Sequence, residues 1–416
     1  MEVKAKHNTI ISFGCWNQTN MKEGPSLRNE NIMKQLKKVK NDIVLVSGDN
    51  YYPVKNTIKT NAGKEKIKKV ELDQLHLGFK NLKKATEKSQ VFMNFGNHDV
   101  VSNDQVNISE NNQDKGECVI MNTELAENAK NFHVGMSHKI LYDDHTLILM
   151  IDTSIYSPKK EFSQYATCYN QLTGYDQKRL IVEQAVFVHK AIRDFKGDNV
   201  IIVGHYPLFY EKEKSGQRVY ITDNSEHFIK LLFEIQEYIP NNFYYLCADY
   251  HVYEEGEVMM IKDGIQRTIK QYIVGTGGTE LDPSTYKIKG HIISTLDEGQ
   301  EKKKKKEKEK KEKEKNEKEI LRNFELRYRH DNIKTDFGFL KGEYKNGWTF
   351  SFIPCMNFNF KHKTKRNQNL NTLMTSGLNR SRINRFRSNR SGISRLSGLS
   401  NLSRSILSKW SRSSRE

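Results

Sequence analysis

Val91-Phe92-Met93-Asn94-Phe95-Gly96-Asn97-His98-Asp99 is an apolar run that stops on a glycine and then offers an amide, an imidazole and a carboxylate in succession. Val91–Phe95 has the length and composition of a buried strand. The glycine lets the backbone turn sharply away from it, and the three residues that follow can all hold a metal ion. The same order recurs along the chain. Thr9–Phe13 leads into Gly14-Cys15-Trp16-Asn17, and Ile43–Val46 into Gly48-Asp49-Asn50-Tyr51-Tyr52. Asn199–Val203 leads into Gly204-His205-Tyr206-Pro207, and Phe243–Cys247 into Ala248-Asp249-Tyr250-His251. Ligands of α/β sheets collect outside the carboxyl ends of strands, so these turns are expected to converge on one site. Carboxylate and amide oxygens combined with imidazoles suit Mn, Fe or Zn.

A further strand is expected at Thr146–Ile151, and helical periodicity runs through 174–195 and 225–238. Leu180, Val182, Ala185, Val186, Ile192 and Phe195 mark the first apolar stripe, and Phe228, Leu231, Leu232, Ile235 and Tyr238 the second. Strands alternating with helices imply a layered α/β domain. Glu257–Ile261, Thr268–Val274, Phe337–Lys341 and Trp348–Ile353 read as strands without intervening helices, and are expected to form a second sheet completing the fold.

The blocks, in this order, resemble the calcineurin-like metallophosphoesterase superfamily, whose elements run DxG, GDxx(Y), GNH(D/E), xxxH and GHxH. The resemblance spans roughly residues 10–280. Tyr52, three residues after Asp49, and the later Ile273-Val274-Gly275-Thr276-Gly277-Gly278 are similar to the purple acid phosphatase branch. The resemblance implies two mixed β-sheets packed together and flanked by helices. It implies that Asp49 bridges two metal ions about 3.5–4 Å apart, each Fe, Zn or Mn. Tyr52, His251 and the residue at position 15 would hold the first ion; Asn97, His205 and the residue at position 249 would hold the second. His98 would not be a ligand but would face the phosphate and stabilise or protonate the leaving oxygen. The implied reaction is acid-phosphatase-like hydrolysis of a phosphate monoester: the metals polarise the phosphoryl group and generate hydroxide for in-line attack, without a phosphoenzyme.

The sequence departs from that pattern in several places. Cys15 stands where the family has its first aspartate, Asp249 where it has the first histidine of GHxH, and Asn17 where DxG has glycine. The segment after His205, YPLFYEKEKSGQ, has no counterpart of a histidine that purple acid phosphatases carry there. Cys15 reads either as a ligand or as a small buried residue at a strand end, and Asp249 as a ligand or a turn residue. If all bind, Cys15, Asp49, Tyr52 and Asp249 bring more negative charge than the usual set. The metals become weaker Lewis acids, and either the pH optimum moves upward or the chemistry slows. Sulfur at the first position favours Zn over trivalent iron. Three function classes follow: a metal-dependent phosphoesterase, a protein that keeps the fold as a binding or scaffold module, or a nucleic-acid-binding protein driven by its basic tail in which the phosphatase domain is secondary.

Charge divides the chain. Of a net +17, residues 301–319 supply +4 through eleven Lys and seven Glu, and residues 361–416 supply +13 through fourteen Lys or Arg against Glu416. The remainder is neutral, so any polyanionic partner belongs to the tail. The expected organisation is a metallophosphoesterase domain at 1–300, a Lys/Glu-rich low-complexity insertion at 301–319, strands completing the domain at 320–355, and a basic Ser/Arg/Asn-rich tail at 356–416. The insertion reads as a solvated helix or a disordered loop, the tail as disorder or as a segment contacting nucleic acid or anionic membrane. Five widely spaced cysteines without CxxC argue against a disulfide framework and for a reducing compartment. With neither a signal peptide nor a transmembrane run, a cytoplasmic protein is expected.

Overall fold

Apolar residues that alternate faces along each central strand need a packed layer on both sides. In the computed structural model the strands are β1 (Thr9–Phe13), β2 (Ile43–Val46), β3 (Gln90–Met93), β4 (Phe132–Val134), β5 (His138–Asp143), β6 (Thr146–Met150) and β7 (Asn199–Val203). They continue as β8 (Asn242–Cys247), β9 (Tyr253–Lys262), β10 (Ile265–Val274), β11 (Ile292–Ser294), β12 (Phe324–Lys334), β13 (Gly338–Tyr344) and β14 (Trp348–Pro354). The helices are α1 (Leu27–Leu36), α2 (Leu72–Ala85), α3 (Ala166–Thr173), α4 (Gln177–Asp194) and α5 (Glu226–Glu234). The described residues also form three short two-stranded ribbons and two 3-10 turns.

The structure describes residues 1–355 except 4, 21–23, 26, 53, 60–64, 70–71, 101–129, 159–161, 164, 215–216, 221–225, 280, 282–291, 295–323 and 335. The Lys/Glu run at 301–319 and the basic tail at 356–416, with the partners read into it, lie outside the described residues.

One sheet has six strands in the order β14-β13-β1-β2-β3-β4, and the other eight in the order β11-β12-β9-β10-β8-β7-β6-β5. Both are mixed: β1, β2, β3 and β4 run parallel while the β13–β14 hairpin joins β1 antiparallel. In the other, β6, β7, β8 and β10 run parallel between antiparallel flanks. Ile148, Met150, Ile201, Val203, Tyr244 and Leu246 share a buried cluster with Phe13, Val44 and Val46 of the six-stranded sheet. Their neighbours Leu147, Leu149, Val200, Ile202, Phe243 and Tyr245 face Leu180, Val188, Ile192, Phe228 and Leu232 of α4 and α5. Ile32, Met33 and Leu36 of α1 and Phe79 and Leu82 of α2 join the first cluster. This is the layered two-sheet fold that the resemblance implied.

Several expectations change. The four late strand runs do not form a sheet of their own. Glu257–Ile261 and Thr268–Val274 lie in β9 and β10 of the eight-stranded sheet, while Phe337–Lys341 and Trp348–Ile353 supply β13 and β14 of the six-stranded one. Pairing follows open sheet edges rather than chain order. In α4 the buried face is Leu180, Gln184, Val188, Ala191 and Ile192, not the stripe through Val182 and Val186. A polar residue lies on the helical period there because its amide has buried partners. Asp176 caps α4, accepting from Arg179 N at 2.9 Å. In the second stripe, Tyr238 is 41% exposed, because α5 ends at Glu234 and a 3-10 turn turns the ring outward. Cys168 is disulfide-bonded, where the cysteine spacing argued against disulfides. Among the described residues no helix is long and apolar enough to cross a membrane.

Candidate metal centre

The parallel registers bring the carboxyl ends of the ligand-bearing strands level. Phe13 pairs with Val46 and Val46 with Met93 in one sheet, and Val203 pairs with Leu246 in the other. Immediately beyond, Cys15, Asp49 and Asp249 adopt left-handed backbone with φ of 53°, 53° and 57°. Such a conformation costs a non-glycine residue about 1–3 kcal/mol and persists only where the surroundings impose it. Cys15 N–H is held by Gly48 O at 3.1 Å, Gly277 N–H by Gly14 O at 3.1 Å, and Tyr250 N–H by Ala248 O at 2.6 Å. The two residues that depart from the family pattern thus share the strained geometry of Asp49, and all three side chains point to one place.

The two oxygens of Asp49 serve different groups. Oδ2 accepts from Tyr52 OH at 2.6 Å and from the Cys15 thiol at 3.7 Å, and Tyr52 OH lies 3.1 Å from His251 Nε2. Cys15, Asp49 and His251 offer ligand atoms within 4.8 Å of one another. Oδ1 lies 3.3 Å from His205 Nε2, which also lies 3.0 Å from Asn97 Oδ1 and 3.7 Å from Asp249 Oδ1. His205 Nδ1 lies 2.8 Å from Ser47 O, a pure acceptor, so Nδ1 carries the proton. His205 Nε2 is thereby turned toward three oxygens, a place where positive charge, on the ring or on a bound cation, is favoured. Sulfur, phenol, imidazole and carboxylate on one side, with amide, imidazole and carboxylate on the other, make chemically sensible donor sets for metal ions.

The electrostatics agree. Burial, reinforced by the Asp49 charge, pushes the Cys15 thiol and the Tyr52 phenol well above their usual values. Burial alone would raise Asp49 too, but the His205 and His98 imidazoles outweigh it and hold the carboxyl below its ordinary value. For His205, burial is outweighed by Asp49 and Asp249, and the imidazole is raised. Positive charge is favoured at the centre of the cluster.

His98 stands apart from both ligand groups. Its N–H donates to Asp49 Oδ1 at 3.0 Å and its ring lies 4.4 Å from that of Tyr52. All eight residues named from the sequence, Cys15, Asp49, Tyr52, Asn97, His98, His205, Asp249 and His251, come together at this end of the sheets. Sequence reading assigned nothing to Asp99 or Asn50, which tie two of the turns together. Asp99 accepts from Gly96 N at 2.8 Å, Asn50 N at 2.9 Å and Asn50 Nδ2 at 3.0 Å. Burial, with Asp49 nearby, pushes Asp99 up to about 8. Its place directly after His98 was the available signal.

A model of the calcineurin-like phosphoesterase family matches residues 9–253. The chain belongs to that family. The calcineurin-like phosphoesterase match takes in every candidate ligand, and metal-dependent phosphoester hydrolysis is the kind of function it supports. No curated protein matches the chain. Among solved structures, one similar chain is described as "GAP50 the anchor in the inner membrane complex of Plasmodium", at 13% identity and a TM-score of 0.40 over 84% of this chain and 85% of that one. Another is PhoD, at 12% identity and a TM-score of 0.43 over 83% of this chain and 68% of that one. Both are distant likenesses.

Proposed function

We propose that this protein hydrolyses phosphate monoesters at a centre of two metal ions, one held by Cys15, Asp49, Tyr52 and His251, the other by Asp49, Asn97, His205 and Asp249. The observation that carries this reading is the division of Asp49, which turns one carboxylate oxygen toward each group. The left-handed backbone at Cys15 and Asp249 supports these residues as working ligands and weighs against the reading of a binding or scaffold module. When bound, the ions supply Lewis-acid activation of the phosphoryl group and of the attacking water.

The chain's own residues set the geometry. Tyr52 and Cys15 approach the same oxygen of Asp49, so the first group closes around a single point. His205, its tautomer fixed by Ser47 O, presents Nε2 to the second. His98, half-buried and outside both groups, is left to donate a proton to the leaving oxygen. Its ring is steadied by Tyr52 and its backbone by Asp49.

Elemental analysis of the purified full chain, beside turnover of a chromogenic phosphate monoester, tests the reading. About two ions per chain are expected, with Asp49→Asn losing metal and turnover together, while His98→Ala keeps its metal and loses turnover. Full turnover in His98→Ala removes the proton donor from the scheme. Metal content unchanged in Asp49→Asn removes the shared carboxylate.

A further inference from the structure

His205 is the imidazole of the second ligand group, and the polar backbone around it is bound by three residues from the ends of the two neighbouring strands, β6 and β8. His205 N and Tyr206 N both donate to Thr153 Oγ1, at 2.9 and 2.8 Å. His205 O accepts from Ala248 N at 2.9 Å, and Tyr206 O from Tyr245 OH at 2.6 Å. There is no slack on the Thr153 side: a Cβ on Gly204 would meet Thr153 Cγ2 at 2.7 Å. Thr153 and His205 are essentially fully buried.

What fixes Thr153 is unusual. The parallel ladder of β6 with β7 ends at Ile151, whose N–H still reaches Val203 O at 2.9 Å. The next residue, Asp152, has its N–H and C=O bound by the side-chain amide of Gln184 on α4, both at 3.0 Å. The amide acts as one residue of a missing neighbouring strand, and it explains the polar position on the buried face of α4. The Asp152 carboxylate then accepts from Ser154 N at 2.9 Å and Tyr169 OH at 2.7 Å. Thr153 is thus clamped on both sides, with its hydroxyl facing the His205 turn.

We infer that Thr153, held by Gln184, is a positioning residue for the second metal site: it sets where His205 Nε2 stands and leaves the Cys15 site untouched. The inference rests on the proposed reading of His205 as a ligand. Outer-shell partners of metal-bound histidines commonly change affinity by about 10- to 100-fold when removed.

Cobalt(II) titration of the full chain is the test, because the two sites give different signals. A thiolate-to-cobalt charge-transfer band reports the Cys15 site and is lost in Cys15→Ser, while equilibrium dialysis counts both ions. Thr153→Val keeps the shape and removes the acceptor. It is expected to weaken one of the two ions by about 10- to 100-fold and to leave the thiolate band at full intensity. Thr153→Ser, which keeps the hydroxyl, is expected to restore binding. Gln184→Met is expected to reproduce the selective loss, so the inference does not hang on the folding of one variant. A wild type that takes up two ions beside a Thr153→Val that binds both as tightly overturns the inference alone. So does equal weakening of both ions, or failure of Thr153→Ser to rescue. A wild type that takes up no second ion overturns the two-metal reading, and the inference with it.

Discussion

Gly48 and Gly174 both have left-handed backbone, with φ of +80° and +70°, yet they stand in opposite surroundings. A Cβ at Gly48 would lie 2.6 Å from Gly96 N, 2.8 Å from Gly96 Cα and 2.8 Å from His205 Nδ1, whereas one at Gly174 would meet nothing within 4 Å. Replacing either by alanine incurs the left-handed penalty of about 1–2 kcal/mol, offset in part by about 0.4–1 kcal/mol from the stiffer unfolded chain. Gly174→Ala is therefore expected to lose about 1.5 kcal/mol or less. At Gly48 two of the three neighbours are backbone atoms that cannot rotate away, which adds the 1–3 kcal/mol or so of an overpacked core. Gly48→Ala should lose about 1–4.5 kcal/mol in total, always more than Gly174→Ala by the overpacking cost, out of a stability typically about 5–15 kcal/mol. Urea denaturation of the metal-free proteins measures both, with the denaturant slope checked for constancy. The clash also pushes on the ring whose Nδ1 is bonded to Ser47 O, so Gly48→Ala should lose one metal ion where Gly174→Ala keeps both. Equal destabilisation of the two variants, with full metal content in Gly48→Ala, would refute the close contact between the two turns and with it the placement of His205.

Two further outcomes follow from the titrating groups. Cys15 and Tyr52 are raised, so both hold their protons at neutral pH and must release them to bind a metal. Zinc affinity at that site should rise with pH, about tenfold per unit for each proton released, and a flat profile in isothermal titration would exclude the thiol and phenol as ligands. Asp42 clamps the N-terminal strand, accepting from Lys6 N at 2.8 Å, His7 N at 3.0 Å, Thr9 N at 3.3 Å and Tyr142 OH at 2.8 Å. Burial opposes its ionisation, but these donors outweigh it and the carboxyl is depressed. Asp42→Ala should cost about 2–4 kcal/mol at neutral pH. Because a depressed carboxyl stabilises above its unfolded value and loses that effect as pH falls through the folded one, the gap to wild type should close in acid. A gap independent of pH in parallel denaturation series would show that the charge is not what the four donors recognise.

What the sequence determined by itself is local. A strand of apolar residues ending in glycine, then a side chain able to hold a metal, is legible because strand period, turn chemistry and ligand type are properties of a few neighbouring residues. The turns that carry Cys15, Asp49, Asn97, His205 and Asp249 could be found on that basis, the family resemblance singled out Tyr52, His98 and His251 beside them, and β1, β2 and β7 appear with the expected bounds. Distant pairing was decided only in three dimensions. Strands without intervening helices were read as one late sheet, yet β13 returns from position 338 to pair with β1, and Trp348 Nε1 donates to Thr146 Oγ1 at 3.2 Å across to the other sheet. The roles of Gln184, Thr153, Asp99 and Asp42 were likewise invisible, because each is defined by a backbone group far away in the chain. The same holds for the left-handed turn at Cys15. Its residue type argues against that conformation, and only Gly48 and the neighbouring turns impose it, converting a departure from the family pattern into a side chain aimed at Asp49.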